Sequence, residues 1–215
     1  MQKVLFFLCL LIFFTSCKKD PKNILISGTV KDPYQNIPVA GAKITLQANG
    51  VIQGIYNASF VTLGTITTDA LGQFQFEVDE STYDSFRFVI VKDGYYTLQQ
   101  TVTAATVNSD KPLKTNFDFL SVATILVHIK NISPFDDDDK LITYFQNNPI
   151  SNFDCCSSSP ITYLGMAIDT SFFCKSVGAF DLSLSKSILK NNVQTYETTT
   201  VHTLPNDTVE INVFY

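Results

Sequence analysis

Residues that could do chemistry are few and badly spaced for it. His128 and His202 are the only histidines in the chain. Neither falls in H-x-x-E or H-E-x-x-H, the spacing that sets two zinc ligands and a base on one helix face. A Gly-x-Ser-x-Gly elbow, a Walker loop and a dinucleotide loop are absent. Glycoside hydrolysis would need two carboxylates across a cleft, but no Trp is present to form a sugar platform. Asp136, Asp137, Asp138 and Asp139 run consecutively. They could offer oxygens to Ca²⁺, yet an EF-hand loop needs alternating ligands, a central Gly and a distal Glu, and none is here. Four like charges in a row repel and prefer water, so the run predicts a solvated surface loop that could serve as a contact. The expectation is a protein that is not an enzyme, with no cofactor and no metal site.

The N-terminus predicts delivery. Lys3 gives a positive start, and Val4 to Phe14 is an apolar run too short to span a membrane comfortably. It ends Phe13-Phe14-Thr15-Ser16-Cys17, which resembles a bacterial lipoprotein signal. The resemblance implies cleavage of residues 1–16 and acylation of Cys17. Residues 17–23 then form a polar tether, and the acyl chains hold the protein to the outer membrane, each CH₂ adding about 0.8 kcal/mol. Loss of Lys3 takes the net charge from −5 to about −6. No basic patch is present to release counterions from phosphate, which argues against nucleic acid.

Five cysteines are present. Cys9 leaves with the signal and Cys17 is the lipid site. Cys155, Cys156 and Cys174 remain, in a compartment where disulfides form. Adjacent cysteines rarely bond each other, so the expected bridge joins Cys174 to Cys155 or Cys156. There is no C-x-x-C for a redox or metal role.

These residues must be positioned by strands. Ile26, Gly28 and Val30 alternate with Ser27, Thr29 and Lys31; Phe74, Phe76 and Val78 alternate with Gln73, Gln75 and Glu77. Ile44 and Leu46, then Phe86, Phe88 and Ile90, repeat the period of two, which marks half-buried strands. Asp69 to Gly72 suits a tight turn, and Asp93-Gly94 between two apolar runs is a hairpin signal.

The pattern G-x-V-x-D, P-V-x-G-A-x-I-x-L, T-D-x-x-G-x-F-x-F and K-D-G-Y resembles the carboxypeptidase regulatory-like domain. Its matching positions are Gly28, Val30, Asp32, Pro38, Gly41, Ala42, Thr68, Asp69, Gly72, Phe74, Gly94 and Tyr95. The resemblance implies a transthyretin-like, immunoglobulin-like β-sandwich over residues 24–120, an accessory module elsewhere coupled to catalytic domains. The stretch from Asn49 to Gly64 departs from the pattern and reads as an inserted surface loop, a second candidate for contacts.

Residues 121–215 read as a second β-sandwich of no recognised family, after a short linker near Ser121. Thr124 to Asn131, Leu141 to Gln146, Ile161 to Asp169 and Ala179 to Leu184 suggest strands, and Ser185 to Asn191 a short helical turn. Thr195 to Thr203 and Thr208 to Tyr215 flank a turn and predict a hairpin. The fold class is therefore all-β, with two sandwiches behind a lipoprotein signal of the Bacteroidota type. The expected function is a non-catalytic outer-membrane binding or scaffolding module, facing the periplasm or the cell surface. Its partners would be the membrane, through the lipid, and an unknown protein or glycan. A structural subunit that assembles by strand exchange, with Thr208 to Tyr215 as donor, is the alternative. A carbohydrate-handling lipoprotein is the third reading.

Overall fold

The computed structural model describes residues 22–52, 54–150 and 156–215. Cys9, Cys17 and Cys155, and with them the signal and acylation site, lie outside the described residues.

Nine strands make the N-terminal half: β1 (Asn23–Asp32), β2 (Ile37–Pro38), β3 (Lys43–Ile52), β4 (Ile55–Thr67), β5 (Gln73–Asp79), β6 (Tyr83–Val91), β7 (Leu98–Thr103), β8 (Leu113–Lys114) and β9 (Phe117–Asp118). One sheet centres on β1, antiparallel to β2 and β5 and parallel to the short β8 and β9. The other runs β4-β3-β6-β7. The period of two decides what each strand buries. Ile24 and Ile26, Ile44 and Leu46, Phe74 and Phe76, and Phe86, Phe88 and Ile90 turn inward and form one core. Phe117 joins it, its ring centroid 4.9 Å from that of Phe88 and 5.7 Å from that of Phe74. The Asp69–Gly72 turn closes with Gly72 N donating to Asp69 O at 3.0 Å, and Gly72 takes φ +69°.

Asn49–Ile52 and Ile55–Gly64 are strand rather than loop. β3 and β4 extend through them as one long antiparallel hairpin, with register shifts at Leu46/Gln47 and Ala48/Gly50. Asn and Gly in this stretch hid the pairing from a propensity reading; the backbone bulges absorb them instead.

The C-terminal half contains β10 (Val122–Lys130), β11 (Lys140–Phe145), β12 (Ile161–Leu164), β13 (Asp169–Val177), β14 (Asp181–Lys190), β15 (Val193–His202) and β16 (Thr208–Phe214). A sheet ordered β13-β10-β16 faces a sheet ordered β12-β11-β14-β15. Ile125, Val127, Ile129, Leu141, Leu182, Leu184, Ile211 and Val213 meet in a second core.

Three expectations need correction here. Ser185 to Lys190 is strand, the C-terminal part of β14, with Leu184, Lys186 and Ile188 buried at a period of two, and Asn191 follows in the turn to β15 at φ +47°. Ile161 to Asp169 is not one strand: it splits at Gly165, which takes φ +103°. Thr195 to Thr203 and Thr208 to Tyr215 do not form a hairpin. β15 pairs with β14, whereas β16 crosses to the opposite sheet and pairs in parallel with β10, Ile125 opposite Val209 through Lys130 opposite Phe214. The turn between them has Asn206 at φ +60°. A sandwich corner and a hairpin turn share the same Pro-Asn-Asp chemistry, so sequence could not separate them.

Candidate functional site

The motif residues of the N-terminal half converge where the two halves meet. Asp32 ends β1 fully buried, and its carboxylate accepts from Tyr34 N at 3.0 Å, Gln35 N at 3.1 Å, Gln35 Nε2 at 2.7 Å and Ser121 N at 3.3 Å. Burial pushes this carboxyl up, but the bonds from Ser121, Gln35 and Tyr34 outweigh it and hold it below its ordinary value. Gly94 (φ +80°) accepts from Val122 N at 2.8 Å, and Asn206 N donates to Val122 O at 2.7 Å. The Asn206 side chain lies where a Gly94 Cβ would stand. Tyr96 Oη donates to Ser176 O at 3.0 Å, and Tyr34 meets Phe180 edge-on at 5.3 Å. Ser121 is therefore buried in a junction rather than placed in a free linker. The K-D-G-Y and G-x-V-x-D motifs act as a clamp, not as reactive groups.

The histidines stay apart. On β10, His128 Nε2 lies 3.0 Å from Asp169 Oδ1 and Lys130 Nζ 2.7 Å from Asp169 Oδ2. The Lys130 bond first, then His128, lowers the Asp169 carboxyl below its usual range. On another sheet, His202 Nδ1 contacts Asp181 Oδ1 at 2.7 Å. Each imidazole is tied to a strand neighbour on an exposed sheet surface, which is a cross-strand pair rather than an acid–base couple. Among the described residues no group of three or more His, Cys, Asp or Glu side chains could hold a metal ion.

The acidic run divides. Asp136, Asp137 and Asp138 are exposed, but Asp139 has 0% exposure. This corrects the expectation of a uniformly solvated loop. Asp139 Oδ2 accepts from Asn131 Nδ2 at 2.8 Å and Phe135 N at 2.9 Å. Lys190 Nζ donates to Asn131 Oδ1 and Ser133 O, each at 2.7 Å, and lies 4.9 Å over the Tyr215 ring. Burial pushes the Asp139 carboxyl up; the Phe135, Asn131 and Asp136 bonds, with the Lys190 charge, bring it below 3.8. Asp139 is thus the polar hub of its loop, a role available only because Asn131, just past β10, and Lys190, at the end of β14, come together beside it.

A pH dependence follows. The folded carboxyl groups of Asp32, Asp139 and Asp169 all titrate below the ordinary 3.8. A depressed folded pKa stabilises the native state above the unfolded value, and the gain is lost as pH falls through the folded value. Stability should therefore hold down to about pH 4 and decline below it. Asp139→Asn should flatten part of that decline, read from urea midpoints between about pH 2 and 5.

Cys156 and Cys174 are bonded, with their Cα atoms 4.9 Å apart. The bond belongs to a strap: Cys156 N donates to Lys175 O on β13 at 2.9 Å, and Phe145 N on β11 donates to Ser157 O at 3.0 Å. The strap stitches the two C-terminal sheets together along the β12–β13 side. Closing a loop of sequence separation 18 should stabilise by about 3 kcal/mol on the chain-entropy model. Cys174→Ser should show that loss in chemical denaturation, with reductant producing the same shift in the parent chain.

A cavity of about 480 Å³ beside this strap is lined by Thr143, Phe145, Ile161, Phe172, Lys175 and Leu184 among others. Its lining lacks any Asp, Glu or His, so it offers no acid–base pair.

Sequence reading missed where the surface is apolar. At the tip of the β3–β4 hairpin Ile55 is 68% and Tyr56 63% exposed. On β15 Tyr196 is 74% exposed. Exposed Ile and Tyr in alternating strands look like core residues until the opposing layer is known to stop short of them.

The architecture is that of immunoglobulin-like and transthyretin-like sandwiches. Residues 25–119 match the carboxypeptidase regulatory-like domain, so the N-terminal half is similar to that module. No curated relative matches the chain. Among solved structures, the chain is similar to 3-chlorocatechol 1,2-dioxygenase from Rhodococcus opacus 1CP, at 15% identity over 47% of this chain and 61% of that one, TM-score 0.33. It is similar to the Bacillus anthracis TIE protein at 12% identity over 90% of this chain and 34% of that one, TM-score 0.40. It is also similar to the shaft pilin SpaA from Lactobacillus rhamnosus GG at 11% identity over 90% and 97% of the two chains, TM-score 0.34. The chain thus spans about three fifths of the dioxygenase and one third of the TIE protein. Likenesses of this strength say nothing about function.

Proposed function

We propose that the chain is a non-catalytic binding or scaffolding module, lipid-anchored through Cys17 at the outer membrane and built from two sandwich domains, 24–120 and 121–215. The observation that carries this reading is the exposed apolar tip of the β3–β4 hairpin, Ile55 and Tyr56, at the end of the β3–β4 ladder. Aromatic and aliphatic side chains held clear of the core are suited to anchoring a protein or glycan partner. The polar groups support it from the other direction, since Asp32, Asp139, His128 and His202 are each engaged in structural contacts.

The test is site-specific photocrosslinking in intact cells with a reactive phenylalanine at Tyr56 and, as control, at Asp118. A discrete adduct at Tyr56 alone supports the reading; equal adducts at both sites, or none, overturn it. Retention of the purified chain on glycan resin, lost in Tyr56→Ser, would mark the partner as carbohydrate. Cys17→Ala should release the protein from the membrane fraction. A structural subunit is the second reading, favoured by the open edge of β15.

A further inference from the structure

We propose that β15 is a self-pairing edge, through which two copies of this chain join antiparallel into one continuous sheet. The inference rests on the scaffolding reading above and adds to it the partner, a second copy.

Edge strands are ordinarily guarded, and in this chain most are. β12 is four residues long, and β7 is six. β4 carries the register shifts of its hairpin. β5 carries Glu77 and Asp79. β13 is tied at its C-terminal part by the Cys156 segment, bonded through Cys174 and donating to Lys175 O. β15 lacks such a guard. It runs ten residues, holds an unbroken register with β14 from Asp181 opposite His202 to Lys190 opposite Val193, and contains no Pro. Among the described residues it pairs with β14 alone. Its one carboxylate, Glu197, is taken by Lys186 Nζ of its own sheet at 2.8 Å, and Lys186 is only 8% exposed. The rest of the strand is rich in Thr and Val with one Tyr, residues suited to cross-strand packing.

The side-chain pattern selects a register. Thr199 and Val201 are partly buried on the inner face, while Tyr196, Thr198 and Thr200 are on the outer face. A continuous sheet must place outer residues opposite outer residues. Two long registers satisfy this. Centring the two-fold on Glu197 sets two like charges directly opposite, which is destabilising. Centring it on Thr198 sets Glu197 opposite Thr199 and Tyr196 opposite Thr200, and each Glu197 keeps its Lys186. The second arrangement joins two four-stranded sheets across paired Thr198 residues.

The full chain, purified in mild detergent, tests this by disulfide trapping and sedimentation. Thr198→Cys should form a disulfide-linked dimer under mild oxidation, well above both the parent chain and Tyr196→Cys, whose opposite residue is Thr200. Thr198→Lys should sediment as a monomer with an unchanged melting curve; if it fails to fold, Thr200→Lys replaces it. A parent chain that stays monomeric at its solubility limit overturns the proposal. So does a Thr198→Cys chain that links no better than Tyr196→Cys, or a folded lysine variant that remains dimeric. None of these readouts depends on Tyr56, so failure here and failure of the binding reading can be told apart.

Discussion

Removing Thr208–Tyr215 should unfold the C-terminal half and leave the N-terminal half folded. β16 is paired with β10 over seven positions, and Ile211, Val213 and Tyr215 are buried in the second core. Burying each such side chain contributes about 1.5–3 kcal/mol. The backbone adds a knot at the end, with Tyr215 N donating to Lys130 O at 3.1 Å and Ile132 N donating to Tyr215 O at 2.8 Å. The deletion also strips the Lys190–Tyr215 contact beside the buried Asp139. The summed loss is on the order of the whole stability of a small domain, roughly 5–15 kcal/mol. Amide exchange should show protection lost over residues 122–207 and kept over 24–119. If protection in β10 survived, the strand would be dispensable to its own sheet. If the parent chain ran as SDS-resistant ladders that the deletion abolished, β16 would be serving a neighbouring copy, as the strand-exchange reading requires.

Gly28→Ala should be among the most damaging single substitutions in the N-terminal half. A Cβ at Gly28 would stand 1.6 Å from Thr115 O and 2.7 Å from Thr115 C. These are backbone atoms between β8 and β9, which run parallel to β1 on either side of this point. Thr115 N donates to Ser27 O and Asn116 Oδ1 accepts from Thr29 N, both at 3.0 Å. The chain there cannot recede without breaking those bonds and moving Phe117 out of the core. The expected cost is at least 3 kcal/mol, in the tail of single-mutant effects, and about 6–12 °C in melting temperature for a chain of this size. Gly64→Ala is the matched control. Its Cβ would lie 3.7 Å from the Phe76 ring, an ordinary contact, at an unexceptional φ, and it should stay within about 0.5 kcal/mol. Comparable midpoints for the two variants would mean that β8 and β9 yield easily.

Much of the fold was legible because strands announce themselves by their period. The inward rows of β1, β3, β5 and β6 were countable from residue types, and the turns at Asp69–Gly72 and Asp93–Gly94 from local backbone chemistry. The N-terminal family resemblance rested on the same positions, and several of them hold the junction: Asp32 accepts from Ser121 N, and Gly94 O accepts from Val122 N. What failed depended on partners distant in sequence. Ser185 to Asn191 has the composition of a turn, yet Leu184 and Ile188 are buried in the second core and Lys186 pairs with Glu197 on β15. Asp139 looked like its three acidic neighbours until Asn131, just past β10, and Lys190, at the end of β14, reached it.

By itself, then, the sequence determined that this is an all-β chain and which residues of most strands face inward. It also ruled out the familiar spacings of catalytic and metal-binding groups. Those properties are local: a period of two, a turn type, a motif spacing. Only the tertiary structure decided that β16 crosses to the sheet opposite β15, and that Cys156, bonded to Cys174, straps one side of the second sandwich. It likewise decided that, among the described residues, Ile55 and Tyr56 stay exposed and the outer edge of β15 unpaired. A strand carries the alternation of its faces in its own residues, but which edge it pairs with, and whether a layer covers it, is set by chain segments far away in sequence.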